Sequence, residues 1–294
     1  MGERYAAIAT CVAFLLPALC SSAAAQELVQ AQPDKAWFGG VGATFNATSL
    51  DQDIHGSGDT NVFSGGILNS VGRSSGPPVG FHGSDNSVGP EVQVGYFEHF
   101  AATDWLWGFK LSYQYEAART NYGADIAQTG EFEVVAGGTL PFVGSYNIGS
   151  SQTRIKHQIS LFPFLGHSFA NGFLYGGGGP MLVDVQSEIK NAVGFAEISG
   201  GTRNITGTMN LESSSWVWGA GAQAGMTYFL GSSWFLDLNY TYSRTQRFSE
   251  SLSTPFANAF DIGGGTFTTS GVANFSLSDR ITTQSVSISI NKMF

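Results

Sequence analysis

Few residues of this chain are of types that do chemistry. His167 and Ser168 stand side by side, with His157 upstream, and these are the residue types of a hydroxyl nucleophile and its general base. His167 and Ser168 are expected in a short turn at one end of a strand pair, so no enzyme is expected. The five histidines, His55, His82, His99, His157 and His167, show none of the short spacings that put two zinc ligands on one side of a strand. No metal site is expected. The alternative left open is heme or metal capture by His55 and His82, which share one long segment. Gly56-Ser57-Gly58, Gly176 to Gly179 and Gly263 to Gly265 lack the following Lys and Ser, or the helix, that a phosphate-cradling loop requires. They read as kinks and close-packed strand positions, and no organic cofactor is implied.

The elements that position these residues follow from composition and periodicity. Charged residues make up only 12% of 294 residues, while Gly is present 39 times and aromatics reach 13%, so a charged surface is not what keeps the chain folded. The formal charge of −9, with 13 scattered Lys and Arg, excludes a nucleic-acid binder, which needs a basic patch. Arg4, the apolar stretch Ala6 to Leu19 and Ala23-Ala24-Ala25 read as a signal peptide cleaved after Ala25. Cys11 and Cys20 both lie in it, which removes thiol chemistry from the mature chain. Lipid attachment at Cys20 is disfavoured by the bulky Leu19. The expected organisation is a signal peptide over 1–25, a short periplasmic segment over 26–34 and a single domain over 35–294.

That domain alternates with a period of two, in blocks of about ten residues. Trp105, Trp107, Phe109, Leu111, Tyr113 and Tyr115 share one face, against Gly108, Lys110, Ser112, Gln114 and Glu116 on the other. Val88 to Phe100 pairs with it through a short link. Ile155, His157, Ile159, Leu161, Pro163 and Leu165, set against Arg154, Lys156, Gln158 and Ser160, lead through a turn to Phe173, Tyr175, Met181, Val183 and Val185. Trp216 to Tyr228 leads through another turn to Trp234 to Tyr242, with Asp237 and Asn239 inward. Trp37 to Phe45 opens the set, and Val286 to Phe294 ends it. Beyond the N-terminus no run approaches the ~20 apolar residues of a membrane helix. The expected fold is therefore all-β, an antiparallel transmembrane barrel of about eight strands. Closure is required because an open edge in lipid leaves backbone polar groups unpaired.

Short links alternate with long stretches, roughly 47 to 87, 117 to 152, 187 to 212 and 244 to 279, rich in Gly, Ser, Thr and Asn. They are expected as four long extracellular loops opposite short periplasmic turns. Strand-like pieces such as Glu131 to Leu140 and Thr266 to Leu277 could extend hairpins above the membrane, or could add strands. Trp37, Trp105, Trp107, Trp216, Trp218, Trp234, Tyr240 and Tyr242 are expected to form two aromatic girdles at the headgroups.

Ala36-Trp37-Phe38-Gly39-Gly40-Val41-Gly42, Val88 to Tyr96, the run FLYGGGGP from Phe173 to Pro180 and the run WVWGAGAQAGMTYFLGSSWFLDLNYTY from Trp216 to Tyr242 resemble the opacity and porin-like small outer-membrane barrels of alphaproteobacteria. The resemblance covers most of the mature chain. It implies outer-membrane location, with lipid and lipopolysaccharide around the barrel, and a pore, an adhesin or a ligand-capturing antigen, with no shared catalytic motif. The terminal Phe294 is similar to the signal read by the barrel-assembly machinery, although Lys292 departs from the aromatic often found there. Neither His167 nor Ser168 matches the pattern of a lipid-A deacylase.

The inward charges Glu91, Lys110, Glu116, Arg154, Lys156, Asp184 and Asp237 either line a conduit or pair off and fill a narrow lumen, and the filled interior is favoured. An open lumen with both signs of charge would make a small, weakly selective pore. The leading functional expectation is an envelope-integrity barrel, with or without such a pore. The alternative is a surface interaction protein acting through its long loops on an extracellular partner.

Overall fold

Alternation of bulky and small side chains over most of the chain leaves it only one way to satisfy its backbone, as a β-ladder. The computed structural model describes residues 33–198 and 200–294. The expected signal peptide and its cleavage point, both cysteines, and residues 26–32 of the short segment lie outside the described residues. Ten strands follow in order: β1 Lys35–Ser64, β2 Ile67–Ser75, β3 Val79–His99, β4 Trp105–Val134, β5 Thr139–Phe169, β6 Gly172–Ile198, β7 Gly201–Phe229, β8 Trp234–Thr245, β9 Phe248–Ile262 and β10 Gly265–Met293.

The ladders are antiparallel and close on themselves in the order β1-β3-β4-β5-β6-β7-β8-β10, with β10 pairing back to β1. This is an eight-stranded barrel. The closing seam runs without a shift from Phe38↔Met293 to Ser64↔Phe267. The remaining strands, β2 and β9, take part only in the end remote from the chain termini, here called distal. There β2 bridges β1 and β4, and β9 flanks β10.

The long glycine- and serine-rich stretches are therefore strands rather than loops, drawn out into hairpins whose turns are only a few residues long. Gly65, Gly66, Gly137, Gly138, Gly263 and Gly264 hold positive φ at three of the distal tips, where a residue with a Cβ would be strained.

On the outer face, apolar side chains form a belt at the proximal end. In β1 the belt runs from Trp37 through Val41, Ala43 and Phe45 to Ala47, and gives way to Ser49, Asp51 and Asp53. At ~3.4 Å per residue and a tilt of about 40°, it rises roughly 25 Å. The strand continues to Ser64, roughly 40 Å further by the same rise. Trp37, Trp105, Trp107 and Trp234 stand exposed at the proximal edge, and Trp216, Trp218, Tyr240 and Tyr242 on the same outer face. Phe294 follows the last ladder residue, with its backbone N–H donating to Trp37 O at 2.9 Å.

Candidate functional site

The lumen is where a barrel of this size either conducts or is sealed. Here it is filled by alternating apolar and polar tiers. At the proximal mouth Phe38, Phe97, Leu106, Phe164, Phe173, Tyr175 and Phe235 pack into one apolar plug. Above it lies a charged tier. Lys110 Nζ donates to Asp237 Oδ2 at 2.6 Å and to the Tyr175 hydroxyl at 2.7 Å. Tyr175 donates to Asp237 Oδ1 at 2.7 Å, and Gln93 Nε2 reaches Asn291 Oδ1 at 2.7 Å and Ser289 Oγ at 2.8 Å. Lys110 and Asp237 are only 4% and 2% exposed. A buried pair survives only with this density of additional hydrogen bonds. Glu91 is buried in the same tier, and further along Glu116 accepts from the hydroxyls of Thr48 and Thr283.

A second apolar cluster follows: Leu50, Ala118, Ile155, Met181, Val183, Val185, Val217 and Ile281. Beyond it comes a second polar tier that includes Gln52, Thr153 and Asp279, and then the largest cluster, built on Ile54, Ile148, Ile189, Leu252, Phe275 and Leu277 within the distal extension. In that distal part burial pushes the Asp279 carboxyl up to about 7, partly offset by the neighbouring Gln52 and Arg247. Burial likewise pushes the Tyr146 hydroxyl up to about 12.

Of the seven charges expected inward, Glu91, Lys110, Glu116 and Asp237 are buried in the lumen. Three need correction. Arg154 points outward, its guanidinium 3.7 Å from Glu188, and Lys156 occupies a bulge. The pairing of β5 with β6 slips between Ile155 and His157, and one inserted residue exchanges the faces of everything beyond it. Gln158, Ser160 and Phe162 face the lumen below the bulge, whereas Ile155 and Thr153 do so above it. Asp184 is also on the outer side, in register with His157 and Trp216 and hydrogen-bonded by Ser214. The apolar side of β6, from Phe173 and Tyr175 through Met181 to Val185, is what fills the lumen.

His157 and His167 both stand outward, His157 bonded to the Tyr113 hydroxyl at 2.8 Å and His167 against Trp105. Ser168 is bonded instead to His99 Nε2 at 2.6 Å, and His99 Nδ1 faces the Asp34 carbonyl oxygen at 3.2 Å. Because that oxygen can only accept, Nδ1 carries the proton. The contact ties the end of β3 to the β5–β6 hairpin, and no carboxylate orients the imidazole. His82 pairs with Asp51 at 2.7 Å. Among the described residues no three His, Cys, Asp or Glu side chains converge as a metal cluster.

Tyr175 and Gln93, which complete the charged tier, were not among the expected site residues. Their signal is register: Gln93 lies across the ladder from Gly40 and from Ser112.

No family model matches this sequence, and no curated relative does. Similar solved structures include the attachment invasion locus protein Ail of Yersinia pestis, at 10% identity over 79% of this chain and 97% of that one with a TM-score of 0.25. The outer membrane protein OprG of Pseudomonas aeruginosa is 10% identical over 86% and 96%, with a TM-score of 0.26. Neisserial surface protein A is 10% identical over 79% and 97%, with a TM-score of 0.21. At these scores the likenesses carry no functional argument, and none singles out the alphaproteobacterial opacity proteins.

Proposed function

We propose that this chain is an outer-membrane barrel with a sealed lumen, which acts as a rigid pedestal and presents its hairpin tips at the cell surface to a partner. The observation that carries the reading is the tiered interior. Apolar clusters and polar tiers follow one another from the proximal plug into the distal extension, so side chains support the outward hairpins all the way along. The belt of outward Trp, Val, Leu and Ile matches a hydrocarbon thickness, and no helix among the described residues is long and apolar enough to cross a membrane. At the tips Ile67, Leu68, Val135 and Leu140 are exposed, the residue types that mark a contact surface.

In this reading outer-membrane lipid and lipopolysaccharide surround the belt, and Phe294 is the mark read during barrel assembly. The pore reading is the weaker one, because Lys110 and Asp237 of the lower tier are spent on each other and apolar clusters lie on both sides of them.

Single cysteines test the orientation. Ser64→Cys at a distal tip should react with a membrane-impermeant maleimide on intact cells, and Ala101→Cys in a proximal turn only after permeabilisation. The reverse pattern, or recovery of the folded protein in the soluble periplasm, contradicts the proposal.

A further inference from the structure

The upper polar tier holds two buried carboxylates, Glu250 and Asp279, and no buried cation among the described residues. Seven strands each contribute an inward residue between the same two apolar clusters. On β1 the inward order is Leu50, Gln52, Ile54; on β6 Val185, Ser187, Ile189; on β9 Phe248, Glu250, Leu252; on β10 Ile281, Asp279, Leu277. Thr120 of β4, Thr153 of β5 and Ser215 of β7 complete the ring. Contacts join the tier across the barrel: Gln52 Nε2 donates to Thr153 Oγ1 at 3.2 Å, and the Ser215 hydroxyl donates to Glu250. Thr120, Thr153 and Ser187 lie in one register, as do Gln52 and Asp279.

What this tier lacks, among the described residues, is a cation. Asp279 is fully buried, neither carboxylate oxygen closes a well-formed hydrogen bond, and its near polar neighbour is the Gln52 amide. Gln52, 2% exposed, leaves Oε1 unpartnered, as Glu250 does Oε2. Thr120 Oγ1 and Ser187 Oγ are unpartnered as well. Among the described residues no Lys or Arg enters the tier from within the lumen. Arg247 lies on the outer side, already bound to Asp53 at 2.7 Å and to Ser278 at 3.3 Å, and Arg280 stands outward across from Asp51. Two carboxylates in an apolar enclosure repel one another and lose their hydration. Carboxylate, amide and hydroxyl oxygens, with no nitrogen or sulfur, are the ligand set of a hard cation.

We infer that the upper tier is an enclosed binding site for a hard divalent cation of the calcium type, held by Asp279, Glu250 and the Gln52 carbonyl, with Thr120, Thr153 and Ser187 as further oxygens. The two carboxylates match the charge of one divalent ion, and the Gln52 amide lies across the ladder from Asp279. Apolar residues above and below shut the ion away from solvent, so it exchanges slowly. The ion locks β1, β9 and β10 together where the distal extension begins.

The test uses the folded barrel purified in detergent, stripped with a chelator, re-equilibrated with calcium chloride and passed through a desalting column. About one calcium per chain should be retained. At matched ionic strength calcium should raise the thermal midpoint by roughly 5 °C or more once it is in about hundredfold excess over its dissociation constant, and potassium chloride should not. Asp279→Asn and Glu250→Gln, which keep side-chain shape, should lose both the retained ion and the shift, while Ser168→Ala at the proximal mouth should keep them. No retained calcium in the wild-type protein overturns the proposal, and that readout stands even where a variant does not fold. An equal shift in wild type and in Asp279→Asn, or one matched by potassium, overturns it as well.

Discussion

The two polar tiers of the lumen are built on the same ladder and solve the same problem in opposite ways. In the lower tier Asp237 receives Lys110, Tyr175 and Gln93, and cation and anion close on each other. In the upper tier Asp279 meets the Gln52 amide and Glu250 a serine hydroxyl, with no cation between them. The barrel wall does not dictate which residue fills a tier, since every inward position is equally enclosed. What differs is whether the strand opposite supplies a positive charge. The lower tier holds Lys110 beside its carboxylates, although Glu91 and Glu116 each keep one unpartnered oxygen, and the upper tier holds two carboxylates with no cation among the described residues.

The sharpest way to break this comparison is to remove the lower cation. Lys110→Met leaves Asp237 and Tyr175 buried against each other and should cost about 3–5 kcal/mol, while Lys110→Met combined with Asp237→Leu should recover most of it. Denaturant midpoints of the folded barrel measure both, and a loss under about 1 kcal/mol in the single variant would remove the distinction between the tiers.

The upper tier should instead respond to pH. With chelator present, burial holds the Asp279 carboxyl at about 7 in the folded state against its ordinary 3.8, so folding favours its protonated form. Stability should therefore be full below about pH 4 and decline as pH rises toward about 7. The loss should be on the order of 4 kcal/mol. Asp279→Asn should flatten the decline, and thermal midpoints across pH would show whether it does.

Between the tiers the ring changes partners, since β3 leaves β4 beyond Glu91. A Cβ at Gly89 would stand 1.7 Å from the Tyr115 carbonyl oxygen. Gly89→Ala should then cost about 1–3 kcal/mol through displaced backbone, read from the same unfolding curves. The smallest effect is expected at the tips, where Ile67→Ser and Val135→Ser should change stability by less than about 0.5 kcal/mol. Any loss of surface binding they cause would then belong to recognition.

How far the fold is legible in the sequence depends on what lies on each side of a strand. From Trp105 to Glu116 lipid-type residues face out and polar ones face in, so alternation reveals strand and face together. On β6 the rule inverts, because in a filled lumen Phe173, Met181 and Val185 are apolar and inward, and Asp184 is misassigned as a result. The bulge at Ile155 leaves no compositional trace, yet it turns Arg154 outward. The distal strands look like loops because polar residues cover their outer face and the inward apolar residues, such as Ile54, Ile148 and Phe275, are interspersed with Gly, Ser and Thr. Lys110 and Asp237 could be picked as inward from alternation alone, but their pairing spans β4 and β8 and emerges only when the ring closes.

The most direct test of the sealed lumen is single-channel recording of the purified, detergent-folded protein in a planar bilayer, after a heat-shifted gel band has confirmed folding. A barrel plugged by Phe97, Phe173 and Phe235 and closed by the Lys110–Asp237 tier should give no steps. Reproducible conductance steps that grow with salt concentration would contradict it.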